Sequence, residues 1–329
     1  TLRDGDVVSA RLIDWPAGDD HPSGKPIEVV AKRGDTDLEL RLIALSRDLP
    51  LEFPDEVEKA AESLRLPKIE KVVKERRDLR DTTCFTIDPE SAKDFDDAVS
   101  IRQLDNGLFE LGVHIADVSY YVQPDDPIDK EAWERGTSVY LVDTVLPMLP
   151  EALSNSLCSL VPNEPRLAMS VLAQLDSTGT VHGVDICESV IKSNRRFTYQ
   201  EVEEIINGKD DPLASQIHLL HLLTLTLHSR REEGGSVDLD LSTPQIRVDE
   251  NGVPISVRPS ERLSSNRLIE ECMLVANRLI AEHLEKNKNL PGVFRIHDEP
   301  AESDVQTLVK TLRDLGIPYK TGDDIEAQD

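Results

Sequence analysis

Four aspartates, Asp88, Asp94, Asp96 and Asp97, fall within ten residues of the stretch Thr86-Ile-Asp-Pro-Glu-Ser-Ala-Lys-Asp-Phe-Asp-Asp-Ala98. Carboxylates this close repel one another, and drawing them out of bulk water raises their pKa values unless a cation sits among them. A hard divalent ion such as Mg²⁺, which takes oxygen ligands and keeps several waters, answers that need. Two other readings compete. An acidic loop can simply be solvated, and a calcium loop also uses clustered aspartates, but here the order D-x-[DN]-x-[DN]-G is missing and the loop contains no glycine.

The flanking residues say how such a site is held. Cys84 to Ile87 and Ala98 to Ile101 are apolar, β-prone runs. Pro89 cannot donate to a ladder, so the first strand should stop at Asp88, and the loop to Asp97 should return directly into the second. Asp105-Asn-Gly107 then predicts a tight hairpin between Ala98–Gln103 and Leu108–Ile115. The aspartates are thereby anchored at the ends of neighbouring strands.

The rest of the chain reads as strands mixed with helices, without regular βα alternation, which implies an α+β fold. Residues 1–48 suggest short strands at Val7–Leu12, Ile27–Val30 and Leu38–Ile43, too few to close a barrel. A short helix is expected at Asp55–Leu64, and the charged run Lys68–Arg80 looks like a linker over a surface. Beyond the aspartates, Asp129–Arg135 predicts a helix, Arg166–Gln174 and Gly183–Lys192 alternate like strands, and Tyr199–Asn207 has helical spacing. So does Leu213–Glu233, whose leucines 219, 220, 222, 223, 225 and 227 fill nearly every side and argue for deep burial. Val237–Leu241, Gln245–Val248 and Ile255–Val257 return to strand, with a turn at Glu250-Asn-Gly252. Arg267–Lys286 predicts a long helix, Gly292–Ile296 a short strand and Ala301–Leu315 a last helix. No internal repeat or low-complexity tract is present.

Composition sets outer limits. The 329 residues carry 37 basic and 63 acidic side chains, a formal charge of −26, which ordinarily argues against a nucleic-acid partner. That inference concerns the whole surface, since a channel can be locally basic and an acidic exterior also keeps salt-adapted proteins soluble. Cys84, Cys158, Cys187 and Cys272 are widely spaced in apolar or helical contexts; without CxxC or Cys/His spacing they read as buried free thiols in a reducing compartment. No run is long and uncharged enough to span a membrane. The chain starts at Thr1 rather than Met and is expected to be a fragment.

Seven motifs in order then become specific: the aspartate stretch, His114-Ile-Ala-Asp-Val-Ser119, Thr137-Ser-Val-Tyr-Leu141, Leu146-Pro-Met-Leu-Pro150, Leu157-Cys-Ser-Leu160, Arg196-Phe-Thr-Tyr199 and Leu268-Ile-Glu-Glu-Cys-Met273. Together they resemble the RNB catalytic domain of the ribonuclease II and ribonuclease R family, nearer the ribonuclease R branch, over roughly Asp81–Leu315. The resemblance implies a mixed sheet flanked by helices in residues 81–329, C-terminally incomplete. A linker with a short helix (49–80) and the end of an OB-type cold-shock β-barrel (1–48) would precede it.

The resemblance also implies a metal-dependent, processive 3′-to-5′ exoribonuclease that releases nucleoside 5′-monophosphates from single-stranded RNA. It would be monomeric, cytoplasmic and free of membranes. Two-ion carboxylate sites suit in-line phosphodiester hydrolysis. By motif position Asp88, Asp96 and Asp97 would hold Mg²⁺, with Asp96 tied to catalysis and Asp94 supporting. Tyr140 and Tyr199 match residues at the end of the RNA channel, where aromatic faces stack on bases without reading sequence. One of Glu270 and Glu271 should meet the terminal nucleotide; Glu271 is favoured, although spacing alone cannot choose. His114 and Asp117 are expected to support the site structurally.

Two departures stand out. Leu239 of Gly235-Ser-Val-Asp-Leu239 occupies a position that is often aromatic in the family, so it can pack against a base but not stack fully. The family's Ser-Pro-Ile-Arg-Arg-Tyr segment and C-terminal OB-type domain have no counterpart in the sequence. The alternative is an RNB-like RNA-binding or scaffold protein without catalysis, against which the intact aspartate quartet speaks. A nucleotide-cradling glycine loop, as another Mg²⁺-dependent phosphotransfer enzyme would require, is missing.

Overall fold

The computed structural model describes residues 2–15, 22–32, 38–142, 144–236, 244–249, 253–296 and 298–318. In chain order the elements begin β1 (Val7–Asp14), β2 (Ser23–Ala31), α1 (Leu38–Ser46), α2 (Asp55–Ser63), α3 (Ile69–Val72), β3 (Arg77–Asp78), β4 (Cys84–Asp88), β5 (Asp97–Gln103) and β6 (Phe109–Ala116). They continue with α4 (Pro127–Arg135), β7 (Val139–Tyr140), β8 (Val145–Leu146), β9 (Pro165–Leu175), β10 (Val181–Lys192), β11 (Arg195–Thr198), α5 (Tyr199–Ile206) and α6 (Ala214–Glu233). The last are β12 (Pro244–Val248), β13 (Pro254–Pro259), α7 (Ser264–Lys286) and α8 (Glu302–Asp314).

The chain divides into two compact units. One comprises residues 1–66, 118–157 and 242–261. It holds the antiparallel pairs β1–β2, β7–β8 and β12–β13, together with α1, α2 and α4. Helix α4 shows why this sequence starts and stops where it does. The Asp126 carboxylate accepts from the Asp129 N–H at 2.8 Å as N-cap, Pro127 opens the first turn, and Gly136 closes the helix in a left-handed conformation (φ 69°), an assignment of residues that their backbone preferences favour.

The other unit comprises residues 67–117, 158–241 and 262–329 and is built on a seven-stranded mixed sheet in the order β11-β4-β5-β6-β9-β10-β3. The two outermost pairings, β11 with β4 and β3 with β10, are parallel, and those between them are antiparallel. Alternation along the strands sends Phe85, Ile87, Val99, Ile101, Leu111 and Val113 into a core shared with α5, α6 and α7, as the period of two requires. The α+β expectation is thus met.

The opposite set of positions carries buried polar groups. His114 is fully buried, its Nε2 3.0 Å from Ser100 Oγ and its Nδ1 2.7 Å from Ser170 Oγ, which in turn lies 2.6 Å from Ser189 Oγ. Burial pushes the His114 imidazole down to about pH 4, so at neutral pH it is an uncharged link tying four strands together. Asp117, also buried, pairs with Arg76 at 2.7 Å. Both residues therefore serve the architecture, as the sequence suggested.

Several expectations need correction. Leu38–Ile43 is helical in α1: its apolar/polar alternation imitates a strand, but Leu, Glu, Arg and Ala are strong helix formers. Gly292–Ile296 is not a strand; Val293, Phe294 and Ile296 are exposed and, among the described residues, pair with no ladder. The expected linker Lys68–Arg80 contains α3 and β3, with the Leu79 N–H donating to the Val190 carbonyl at 2.9 Å. Its charge suggested solvent because the partners Asp117 and Glu188 lie far along the chain. Helix α6 is buried on one side, through Ile217, Leu220, Leu223 and Leu227, and exposes Leu222 and Leu225. Cys187 is only half-buried, whereas Cys84, Cys158 and Cys272 are buried; all four are free. The expected strand Val237–Leu241 and the turn at 250–252 lie outside the described residues, as does Leu239.

Candidate active site

β4 ends on Asp88 and β5 begins on Asp97, so the loop between them brings all four aspartates to one end of the sheet. The loop is fastened on both sides. Its Phe95 N–H donates to Ser159 Oγ at 3.1 Å, the Phe95 carbonyl accepts from the Leu160 N–H at 2.9 Å, and the Asp96 carbonyl accepts from the Ala116 N–H at 2.9 Å. Near Pro89, the Arg196 guanidinium donates to the carbonyls of Pro89 and, at 3.0 Å, Glu90, and it lies 5.6 Å from the centre of the Phe95 ring.

Electrostatics follow from that convergence. Burial pushes the Asp97 carboxyl up to about 6, with the charges of Asp88 and Asp96 adding to it. Asp96 also rises to about 6, first because surrounding protein desolvates it and then through Asp94 and Asp88, although the residue keeps exposed surface. Asp88 is 8 % exposed and also raised, burial outweighing the opposing influence of the neighbouring Thr86 hydroxyl and Arg196 charge, with Asp94 adding to the rise. Among the described residues its Oδ2 is buried without a hydrogen-bond partner. A buried, partnerless carboxylate oxygen is costly.

Tyr199 opens α5 directly after Thr198, the residue opposite Asp88 in the parallel β4–β11 pairing. Burial, then the charges of Asp97 and Asp88, hold its hydroxyl up at about 12, so it is a neutral donor beside the carboxylates. Glu271 is buried on α7, where its Oε1 accepts from Arg231 at 2.7 Å and lies 3.0 Å from His228 Nδ1. Glu270 presents the more accessible carboxylate, its side chain 42 % exposed and 3.0 Å from Arg262. Tyr140 belongs to the first unit, exposed on β7. The structure therefore gathers Asp88, Asp94, Asp96, Asp97 and Tyr199.

The donor chemistry suits a hard divalent cation. Among the described residues no three His, Cys, Asp or Glu side chains are disposed to enclose an ion, but Mg²⁺ is commonly held by one or two carboxylates with waters completing its shell. The orphaned Asp88 oxygen and the three raised carboxyls are what such an ion would relieve.

A family model for the RNB domain matches residues 76–328. The chain belongs to the RNB-domain family. A cold shock domain model matches residues 1–54, so the RNB part is preceded by the OB-type part that the motifs implied. The chain is 40% identical over 325 residues to ribonuclease R of Aquifex aeolicus, covering 97% of this chain and 46% of that relative. It is 36% identical over 333 residues to ribonuclease R of Escherichia coli, covering 99% and 41%. The solved structure of Mycoplasma genitalium RNase R in complex with ribose-methylated single-stranded RNA superposes with a TM-score of 0.93 at 29% identity, covering 99% of this chain and 52% of that one. The chain thus spans about half the length of these RNB relatives.

The aspartates and Tyr199 were found from the motifs. Arg196 and Ser159 fall inside quoted motifs but were given no role there, and Arg231 and His228 lie in the helical run Leu213–Glu233, where spacing marked only a core helix.

Proposed function

We propose that this chain carries the catalytic centre of a metal-dependent, processive 3′-to-5′ exoribonuclease that hydrolyses single-stranded RNA to nucleoside 5′-monophosphates. The observation that carries the reading is the convergence of Asp88, Asp96 and Asp97, all with raised carboxyls, beside Tyr199. Likeness to ribonuclease R over nearly the whole chain supports the same reaction class.

Asp88, Asp96 and Asp97 would hold Mg²⁺, which when bound activates water and neutralises charge on the phosphate oxygens. Asp94 adds negative potential that favours cation entry. Asp96, the most accessible of the metal-binding three, lies best placed to meet solvent and the scissile phosphate. Tyr199 contributes a neutral hydroxyl and an aromatic face. Tyr140 and Leu239 are assigned to the terminal bases; Glu271, favoured from the sequence for the last nucleotide, is committed to Arg231 and His228 between α6 and α7, so that contact passes to the more accessible Glu270. A protein acting on RNA one nucleotide at a time needs sequence-blind contacts, which stacking supplies.

The domain limits are part of this reading: an OB-type part to about residue 48 and an RNB part that begins by β3, since that strand already belongs to the seven-stranded sheet. A monomeric cytoplasmic enzyme is the setting we infer; among the described residues no helix is long and apolar enough to cross a membrane. The test is product analysis. With Mg²⁺, 3′-labelled RNA should release labelled mononucleotide at once, while 5′-labelled RNA shortens without internal fragments; internal cleavage, or equal activity in chelator, would contradict the proposal.

A further inference from the structure

Ser159 is given no role toward substrate, yet it holds the segment that carries Asp94. It is fully buried. Its Oγ donates to the Lys93 carbonyl at 2.9 Å and accepts from the Phe95 N–H at 3.1 Å, so one hydroxyl grips the peptide on each side of Asp94. The Leu160 N–H adds a third bond to the Phe95 carbonyl at 2.9 Å. Ser159 is itself held from β9: Arg166, 7 % exposed, donates from Nε to the Ser159 carbonyl at 3.0 Å and is fixed by Glu164 at 2.8 Å and the Pro165 carbonyl at 3.0 Å.

The aspartate loop has no regular secondary structure between β4 and β5, and the backbone groups on either side of Asp94 find their partner outside it. A buried donor and acceptor left unpaired would favour a different loop path. Mutually repelling carboxylates push the same way. We propose that Ser159, braced by Arg166, is a positioning residue for the aspartate cluster: it holds Asp94 to Asp97 in the conformation that accepts a divalent cation, and so sets metal affinity. This rests on the metal site proposed above. A geometry held in advance binds an ion more tightly than one that must be ordered on binding.

Calorimetric titration with MgCl₂ would be made on the whole chain as wild type, Ser159→Ala and Asp97→Asn, with circular dichroism of each metal-free protein. The expected result is that Ser159→Ala keeps the wild-type spectrum and binds Mg²⁺ at least fivefold more weakly. Equal affinity in Ser159→Ala and wild type would overturn the positioning role while leaving the metal site standing, provided Asp97→Asn is weakened. Absence of binding in the wild type, or unchanged binding in Asp97→Asn, would remove the metal site and the proposal with it. Should Ser159→Ala not fold, hydrogen exchange decides on the wild type: the Phe95 amide should exchange as slowly as core-strand amides, and exchange at the rate of an open loop would overturn the brace.

Discussion

Thr198 stands opposite Asp88 in the parallel pairing of β11 with β4, and it is also the N-cap of α5. Its hydroxyl accepts from the Glu201 N–H at 3.1 Å while the Glu201 carboxylate accepts from the Thr198 N–H at 2.8 Å. One residue thus ends the strand and starts the helix, which places Tyr199 next to the aspartates. Tyr199→Ala should weaken binding of single-stranded RNA in chelator by roughly 5- to 150-fold, the range of one lost base stack, and Tyr199→Phe should keep it. Filter binding would check this; equal losses in both variants would assign the effect to the hydroxyl.

The raised carboxyls make a prediction about pH. For Asp96 and Asp97, at about 6 in the folded protein, the folded state binds protons more readily than the unfolded chain. Their contribution is therefore most favourable below the ordinary aspartate range, and stability of the metal-free protein falls as pH rises through about 4 to 6. Asp97→Asn should accordingly stabilise the metal-free protein at pH 7, by about 1–2 kcal/mol after allowance for coupling and screening. Urea denaturation in chelator across that window would show it. Magnesium should reverse the order, stabilising the wild type by about 2.7 kcal/mol at a hundredfold excess over Kd.

Much of this arrangement was legible in the sequence because it is local. Pro89 ending β4, Asn106-Gly107 turning the β5–β6 hairpin and the spacing of α5 to α7 are decided by near neighbours, and the aspartates fall at strand ends as a consequence. What escaped is long-range. Ser159 reaches Lys93 across 66 positions and Arg196 reaches Pro89 across 107, and no periodicity encodes such pairs. The charged run before β4 read as solvated surface for the same reason, and α1 read as a strand because six residues cannot separate alternation from a short amphipathic helix.

The glutamate pair separates stability from substrate contact. Glu271 is buried against Arg231 and His228, so Glu271→Gln should cost about 1–3 kcal/mol by leaving charge-assisted bonds incomplete. Glu270, partly exposed beside Arg262, should change stability by less than about 0.5 kcal/mol as Gln and act instead on RNA turnover. Denaturant midpoints of the two variants give the comparison.

Gly112 lies against the buried polar chain of the sheet. A Cβ there would overlap Ser100 Oγ and come within 2.8 Å of His114 Nε2. Gly112→Ala should destabilise the protein by about 1–3 kcal/mol through overpacking, read as a lower thermal midpoint, and an unchanged midpoint would show that the network has room to yield.

The central claim is that RNA hydrolysis takes place at the aspartate cluster while RNA is held mostly elsewhere. Asp96→Asn tests it most directly, measured as single-turnover cleavage of 3′-labelled single-stranded RNA at saturating RNA and Mg²⁺, alongside RNA affinity in chelator. Phosphate contacts dominate affinity for a long strand, so the account predicts that mononucleotide release falls by at least about 10²-fold, the usual scale for losing one preorganised electrostatic group, with affinity unchanged within a factor of two. Release at the wild-type rate from Asp96→Asn would contradict it.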